Sequence, residues 1–360
     1  MTNPVRLIRC EGSPRERGEH YGQSAKPDIA ENLATYRELF QKRFGLSWDR
    51  ALARVQDVVG PLEGFDGALF QELQGIAAGA EVDPLEIIAL NARSTIIYGR
   101  EECTSIAFIH GVESQRGTIV GQNWDNMKQL RPVILHVIEE GKPEILTLTE
   151  AGTLAKIGCN SAGIGLCVNG LSIAGRPSSE SVPIFVLIRK ALQSTSLSET
   201  LDVIVGHQMD APHNFKVASR EGAAFDVESL YEHYDILPPS GPVQVHTNHI
   251  LSHRLLMRDA LLAQLTNSAV RLWRAQQLLG ATGGASLDVE NMKAVLSDHF
   301  DGPGSICRHG RDESNGLEGV TKHAIIMDLE QGVMHVSAGN PCSTPFTTHS
   351  FDTPHQAAQS

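Results

Sequence analysis

The sequence has few cysteines and few basic residues, and each shortage excludes a class of protein. Six cysteines among 360 residues are too few and too irregularly spaced for a disulfide framework, and no C-x-x-C pair points to structural zinc. Thirty Lys and Arg against 42 Asp and Glu give a net charge of −12, which repels phosphate backbones and anionic lipid headgroups. We therefore expect neither nucleic acid nor a membrane as a partner.

Several common segments and motifs are also missing. No apolar run approaches the roughly 18 residues of a membrane-spanning helix, and the first residues lack the apolar stretch of a signal peptide. A phosphate-binding loop, a dinucleotide glycine motif, a G-x-S-x-G elbow and an H-E-x-x-H motif are absent. His246 and His249 are clustered, but at a strand end this spacing directs them to opposite faces. The sequence thus predicts a cytoplasmic protein with no metal and no cofactor.

The residues that are present describe a folded protein whose pattern changes along the chain. Hydrophobic residues make up 41% of the sequence, enough for a substantial core. A short strand is predicted at Val5–Cys10, and Ser13-Pro14-Arg15-Glu16 has the form of a capping box that starts a helix at Pro14. Apolar residues at helical spacing follow, and Asp83-Pro84 starts a further helix that runs toward Tyr98.

From Cys103 onward, alternating apolar residues separated by turns predict successive β-hairpins. The predicted strand pairs are Ser105–His110 with Thr118–Asn123, Val133–Glu139 with Ile145–Thr149, Lys156–Asn160 with Ile164–Asn169, Phe215–Ser219 with Ala223–Leu230, and Ala324–Asp328 with Val333–Ser337. Helices are predicted at Pro183–Ser194, Leu197–Val205, Ser252–Leu279 and Leu287–Asp298, and the tail after about Thr347 is expected to be loose. This order predicts an α/β (α+β) protein with antiparallel sheets covered by helices.

Cys103 is the candidate nucleophile, because it lies where the helical region stops and the sheet region starts. A thiol held rigidly at the end of a β-strand is what acyl transfer requires. The alternative is that Cys103 is a small buried hydrophobic residue, as free cysteines usually are.

A set of motifs spread along the chain favours the first interpretation. They are Gly12–Gly22, Ala89–Arg93, Cys103-Thr104, Gly121–Asp125, Glu150–Gly152, Gly158–Gly163, Val245–His249 and Gly304–Arg308. With these residues the chain resembles the acyl-coenzyme A:6-aminopenicillanic acid acyltransferase (isopenicillin N acyltransferase) family of cysteine N-terminal-nucleophile (Ntn) hydrolases. It is more distantly similar to the choloylglycine hydrolases.

The resemblance implies a four-layer αββα sandwich of two antiparallel sheets between helical layers, formed by a single domain over residues 1–360. It also implies an inactive precursor that cuts its own Glu102–Cys103 bond, leaving an α chain of residues 1–102 and a β chain of residues 103–360. The compared acyltransferase has Gly where this chain has Glu102, and the larger acidic residue is expected to alter the rate of self-cleavage.

The resemblance further implies a role for each site residue. The freed α-amine of Cys103 would act as the base for its own thiol, and Asp125 would orient the ammonium or the sulfur. Asn248 would donate to the tetrahedral oxyanion, with Asn169 or a neighbouring backbone N–H as second donor. Arg308 would lie near the sulfur and assist self-cleavage.

Each assignment has a structural alternative. Asn169 could belong to a simple turn, Asp125 could cap an edge strand, and Arg308 could form a surface ion pair. A polar cluster such as Thr247-Asn248-His249 at a strand end is harder to explain by packing. Cys159, Cys167, Cys307 and Cys342 are expected to fill the core.

The predicted function is therefore an autoprocessed amidohydrolase that cleaves a linear carbon–nitrogen bond of a small N-acyl amine or peptide-like substrate through an S-acyl-Cys103 intermediate. A coenzyme A-dependent N-acyltransferase is the second candidate, and a catalytically silent binding scaffold is the third. The expected partners are the small-molecule amide substrate and the two chains of one precursor. The sequence does not decide whether the protein forms a homo-oligomer.

Overall fold

Two β-sheets stacked face to face form the centre of the protein. The computed structural model describes residues 4–96, 102–111, 117–173, 175, 178, 180–256, 266–280, 287–310 and 319–352. The helices are α1 (Pro14–Ser24), α2 (Lys26–Phe44), α3 (Trp48–Phe65), α4 (Gly67–Ala80), α5 (Pro84–Asn91), α6 (Arg93–Ile96), α7 (Ile184–Ala191), α8 (Leu197–Val205), α9 (Thr266–Gly280) and α10 (Val289–Leu296).

The strands divide between the two sheets. In chain order they are β1 (Leu7–Cys10), β2 (Glu102–Ile109), β3 (Thr118–Met127), β4 (Pro132–Val137), β5 (Ile145–Glu150), β6 (Ile157–Asn160), β7 (Ile164–Gly170), β8 (His213–Ser219), β9 (Ala223–Leu230), β10 (His233–Leu237), β11 (Val243–His246), β12 (Gly319–Asp328), β13 (Val333–Ser337) and β14 (Phe346–Ser350). The 8-stranded sheet has the order β1-β4-β5-β6-β7-β8-β9-β10, and the 6-stranded sheet has the order β11-β2-β3-β12-β13-β14.

The layers follow from what each sheet packs against. Strands β2 and β3 of the 6-stranded sheet lie on β7 and β8 of the other sheet, while α9 and α10 cover the outer face of β3, β11 and β12. Apolar side chains of both helices, including Ala275 and Met292, pack there against Ile106 and Ile326. Helices α1 and α8 lie against the 8-stranded sheet at β1 and β8. The predicted αββα order is therefore confirmed.

Strand β1 is the exception to the antiparallel pattern. It pairs in parallel with β4, with Leu7 opposite Ile134 and Cys10 opposite Val137, whereas the other sheet neighbours pair antiparallel. The prediction of antiparallel sheets was wrong at this edge, because the chain between β1 and β4 passes through α1 to α6 and through β2 and β3 of the other sheet, and not through a hairpin.

A buried ionic cluster lies beside this edge and joins residues from both sides of position 102. Arg17 of α1 binds Glu72 of α4 at 2.9 Å and Glu139, just after β4, at 3.2 Å. Arg189 of α7 binds the same Glu139 at 2.6 Å. All four side chains are buried. The first hundred residues are thus attached to the rest by sheet pairing and by buried charge.

Most predicted elements are present. Ser13 and Glu16 form the predicted capping box at the start of α1, and the five predicted hairpins form with boundaries shifted by a few residues. The helix predicted from Asp83-Pro84 ends as α5 at Asn91 and continues as the short α6, and its last predicted residues lie outside the described range.

Other predictions were wrong. The helix expected from Ser252 has turns at its start, and its described helical part begins at Thr266. The tail expected to be loose after Thr347 instead forms β14, which pairs with β13. Strand β10 was not anticipated, whereas β11 is the strand whose end was predicted at His246, although its start and its partner β2 were not. Cys342 is exposed and does not fill the core, whereas Cys159, Cys167 and Cys307 are buried. Among the residues with described positions, none of the helices is long and apolar enough to cross a membrane.

Candidate active site

Three segments meet at the first residues of β2. Cys103 lies opposite Trp124 in the β2–β3 ladder, and Glu102 lies opposite Asp125. On the other side of β2, β11 pairs through His246 with Ser105, so the chain that follows β11 passes beside Cys103. Sheet register alone therefore brings the predicted nucleophile, Asp125 and the Thr247–His249 segment to one place.

The backbone of Cys103 is held on both sides. Its N–H donates to Oδ1 of Asn248 at 2.9 Å, and its carbonyl oxygen accepts from Nη1 of Arg271 at 2.7 Å. The Cys103 side chain is only 1% exposed in the uncut chain. The predicted nucleophile is thus fixed in position and covered.

Asn248 is oriented by its own partners. Its Oδ1 also accepts from Nη2 of Arg271 at 2.9 Å, and its Nδ2 donates to the carbonyl of Gly170 at 3.0 Å. Its backbone N–H donates to the Ser268 hydroxyl at 2.8 Å. Two donors on one oxygen assign the amide orientation, so it is the oxygen of Asn248, and not its NH₂ group, that meets the Cys103 nitrogen.

Glu102, on the other side of the predicted scissile bond, has its carboxylate bound by three donors. Oε1 accepts from Arg308 at 2.5 Å, and Oε2 accepts from Asn267 at 2.9 Å and from Arg271 at 3.3 Å. Burial favours the neutral acid, but the charges of Arg271 and Arg308 outweigh it and lower the pKa of Glu102. The two arginines therefore hold a carboxylate directly before the predicted nucleophile.

The buried carboxylate of Asp125 receives fewer hydrogen bonds than that of Glu102. Its Oδ1 accepts from the Thr321 hydroxyl at 2.7 Å, and within the described part of the chain no donor reaches its Oδ2. Burial raises the pKa of Asp125 to about 6, against the opposing charges of Arg308 and Arg271. This carboxyl group is therefore ready to gain a further cation or proton donor.

Replacing Asp125 with Asn is expected to stabilise the uncut chain by about 1–3 kcal/mol at neutral pH, because the amide needs no ionisation in the buried site. Since the folded pKa is raised, folded wild type holds a proton that the unfolded chain releases, and stability falls as the pH rises from about 4 to about 6. The variant lacks that fall. Urea unfolding across this pH range, in a Cys103→Ala background that keeps the chain whole, measures both effects.

Asp57→Asn, on the exposed face of α3, is the matched control and should change stability by less than about 0.5 kcal/mol. Equal pH slopes for the Asp125→Asn variant and its parent would contradict the predicted burial cost.

Asn169 is not part of a simple turn. It lies in β7 with its side chain buried, and its Oδ1 accepts from the Ser105 hydroxyl of β2 at 2.7 Å. Its Nδ2 points to the carbonyl of His246 at 3.5 Å. Asn169 thus bridges the two sheets two residues beyond Cys103 and contacts the strand that leads to Asn248.

Arg271 is the principal residue that the sequence analysis missed. It contacts Cys103, Thr104, Asn248 and Glu102, although it comes from α9, far along the chain. Its neighbours on the buried face of that helix are Ser268, Ala275 and Leu279. A charged residue within an apolar helical stripe was the available signal. Asn267 and Thr321 were missed for lack of any such signal.

The two clustered histidines take separate partners. His246 contacts Glu228 at 2.8 Å, and His249 contacts Ser268 at 2.8 Å. Both histidines therefore hold the Thr247–His249 segment in place through side-chain contacts.

Comparison with known proteins gives a consistent result. A sequence model described as acyl-coenzyme A:6-aminopenicillanic acid acyl-transferase matches residues 112–343. The 40 kDa form of acyl-coenzyme A:6-aminopenicillanic-acid-acyltransferase from Emericella nidulans is 30% identical over 349 residues, which cover 93% of this chain and 92% of the relative.

Solved structures were also found. A mutant conjugated bile acid hydrolase from Clostridium perfringens has a TM-score of 0.49 at 14% identity, covering 69% of this chain and 96% of its own. Penicillin V acylase from Agrobacterium tumefaciens has a TM-score of 0.47 at 15% identity, and the match covers 67% of this chain and 84% of the acylase chain. The match to more than half of the sequence and the long alignment to the fungal enzyme confirm the resemblance first seen in the motifs: the chain belongs to the acyl-coenzyme A:6-aminopenicillanic acid acyl-transferase family of enzymes.

Proposed function

We propose that the chain is a self-activating cysteine Ntn amidohydrolase that cleaves a linear amide bond of a small N-acyl amine or peptide-like molecule. The observation that carries the proposal is the fixation of the Cys103 backbone, with its nitrogen on Asn248 at 2.9 Å and its carbonyl on Arg271 at 2.7 Å. A residue whose backbone nitrogen is held in place suits a reaction in which that nitrogen becomes the base.

Self-cleavage comes first in this proposal. The Cys103 sulfur attacks the Glu102 carbonyl carbon, a C–S bond forms, and the C–N bond of the peptide breaks as the nitrogen takes up the thiol proton. Water then hydrolyses the thioester, leaving a Glu102 carboxylate and a free Cys103 thiol and α-amine. Binding of the Glu102 side chain by Arg271 and Arg308 supports this step, because it restrains the residue that carries the attacked carbonyl.

Turnover follows with the same atoms. The α-amine takes the thiol proton, the thiolate attacks the substrate amide carbonyl, and the amine of the substrate leaves with that proton. Water then releases the acid from S-acyl-Cys103. Asp125, whose Oδ2 lacks a described donor, would balance the new ammonium charge. Asn248 would position the amine through its Oδ1 and donate from its Nδ2 to the oxyanion, with Asn169 as the second donor. A cytoplasmic location, where the thiol stays reduced, suits this chemistry.

Acyl transfer is the second candidate, and the relative from Emericella nidulans favours it by its description as an acyltransferase. Both reactions share the S-acyl intermediate and differ only in whether water or an amine accepts the acyl group. Partition of one acyl donor between hydrolysis and an added amine, followed by chromatography, distinguishes them. The net charge of −12 makes a polyanionic donor less favourable than a neutral amide.

The test of the proposal is the mass of the purified protein. Wild type should separate under denaturing conditions into two chains, residues 1–102 and 103–360, and the second should begin with Cys103 on N-terminal sequencing. A wild-type chain that stays whole after long incubation at neutral pH would exclude self-activation, while cleavage at any other bond would exclude Cys103 as the new N-terminus.

A further inference from the structure

Two cysteines and two histidines converge outside the candidate active site. His299 follows α10, Cys307 and His309 lie in the loop before β12, and Cys342 lies between β13 and β14. One ligand atom from each of the four residues lies within 4.8 Å of the other three. Cys307 is buried and the other three are exposed, so the cluster is anchored on one side and open to solvent on the other.

The contacts within the cluster exceed what one imidazole nitrogen can satisfy. Nε2 of His309 lies 3.1 Å from Nε2 of His299, 3.4 Å from Sγ of Cys342 and 3.7 Å from Sγ of Cys307. A neutral ring nitrogen carries either one proton or one lone pair, and therefore makes one good hydrogen bond. Hydrogen bonding therefore does not account for the other two short distances from Nε2 of His309.

A metal ion explains all of them together. Zn–N bonds of about 2.0–2.1 Å and Zn–S bonds of about 2.3 Å place tetrahedral ligand atoms about 3.3–3.8 Å apart. The three distances from His309 lie in or close to that range. Two thiolates and two imidazoles are also the donors that favour zinc over calcium or magnesium.

The surroundings contain the supporting contacts that metal sites usually have. The Asn340 amide donates to Sγ of Cys307 at 3.6 Å and to the carbonyl of Arg308 at 2.8 Å. The Cys307 N–H donates to the carbonyl of Asp298 at 2.9 Å, which ties the loop to the end of α10. A hydrogen bond to the sulfur stabilises a thiolate ligand.

We propose that His299, Cys307, His309 and Cys342 form a structural Zn²⁺ site. Four protein ligands leave no open position, so the ion would have no catalytic water and would clamp the connection between α10 and β12 to the connection between β13 and β14. Cys307 and His309 stand on either side of Arg308, whose guanidinium binds Glu102. The clamp would therefore fix the backbone that presents Arg308 to the candidate active site.

The test is a zinc titration of the full chain, reduced and stripped of metal by a chelator, in a Cys103→Ala background that removes the thiol of the candidate active site as a competing ligand. One equivalent of Zn²⁺ should bind, and Co²⁺ should give the visible spectrum of a tetrahedral site with thiolate charge-transfer bands. Cys342→Ser and His299→Asn, both at exposed positions, should each weaken zinc binding by about 100-fold or more.

His233→Asn, an exposed histidine of β10, is the matched control and should bind zinc as the parent does. Zinc should also raise the melting temperature of the parent and of this control, and leave that of the two ligand variants unchanged. The proposal is overturned if the parent binds no more zinc than a Cys342→Ser/His299→Asn double variant, or if the Co²⁺ complex lacks thiolate bands.

Discussion

Replacing Cys103 with alanine is expected to leave the chain whole and to lower amide cleavage by about 10,000-fold or more, since removal of a nucleophile eliminates the covalent pathway. The loss should affect both reactions at once, because in the proposed mechanism one sulfur attacks both the Glu102 carbonyl and the substrate carbonyl. Intact mass and release of amine from a panel of N-acyl amines, β-lactams and dipeptides measure the two effects separately.

Two further variants make this result specific. Cys103→Ser keeps a weaker nucleophile at the same position and should cut itself slowly. Cys159→Ala removes a buried thiol from the neighbouring sheet and should cut itself as wild type does. If the Cys103→Ala chain still released amine from any substrate of the wild type, another nucleophile would have to be sought.

Arg271→Met is expected to destabilise the uncut Cys103→Ala chain by about 3 kcal/mol, because removal of one partner leaves buried charge and polar groups without compensation. Methionine fills similar space but donates no hydrogen bond to the Cys103 carbonyl, to Asn248 or to Glu102, which keeps only Arg308 and Asn267. Urea unfolding followed by circular dichroism measures the change.

Arg274, one turn along the same helix, provides the control. It binds Asp298 at 2.8 Å with its side chain 28% exposed, so Arg274→Met should cost less than about 1 kcal/mol. Adding Glu102→Gln to Arg271→Met should recover part of the loss, since the charge left behind is also removed. Equal costs for the two arginine variants would show that Arg271 is not a buried ionic support.

The fold was predictable to the extent that its signals are local. The capping box at Ser13 and Glu16 involves neighbours three residues apart, and each hairpin carries its own turn and alternation. Strand β14 carries no such pattern, because Phe346–Ser350 becomes a strand only through its pairing with β13. The parallel partner of β1 was hidden for the same reason, since β4 lies more than a hundred residues away.

The residues of the candidate site likewise divide into those with a local sequence signal and those placed only by distant contacts. Cys103 stands out at the change from helical to strand pattern and Asn248 in a polar cluster at a strand end, whereas Asp125 was identified through the family resemblance; the sheet register then brings the three together. Arg271 reaches the same place from a helix, and although its position in the buried stripe of α9 indicates burial, its partners cannot be read from the residues beside it. The cysteine–histidine cluster was missed because only Cys307 and His309 are close in sequence, while His299 and Cys342 approach them through the fold.

The pairing of β1 with β4 and the ionic cluster of Arg17, Glu72, Glu139 and Arg189 have a kinetic consequence for the proposed cut. While the chain is whole, its two parts share an effective concentration set by their covalent link. After cleavage that link is gone, and a protein that unfolds in dilute solution can refold only by a bimolecular encounter that rebuilds the sheet edge and buries the four charges again. In the proposed order of events, folding therefore precedes the cut, because the cut would remove the connection that makes folding a unimolecular process.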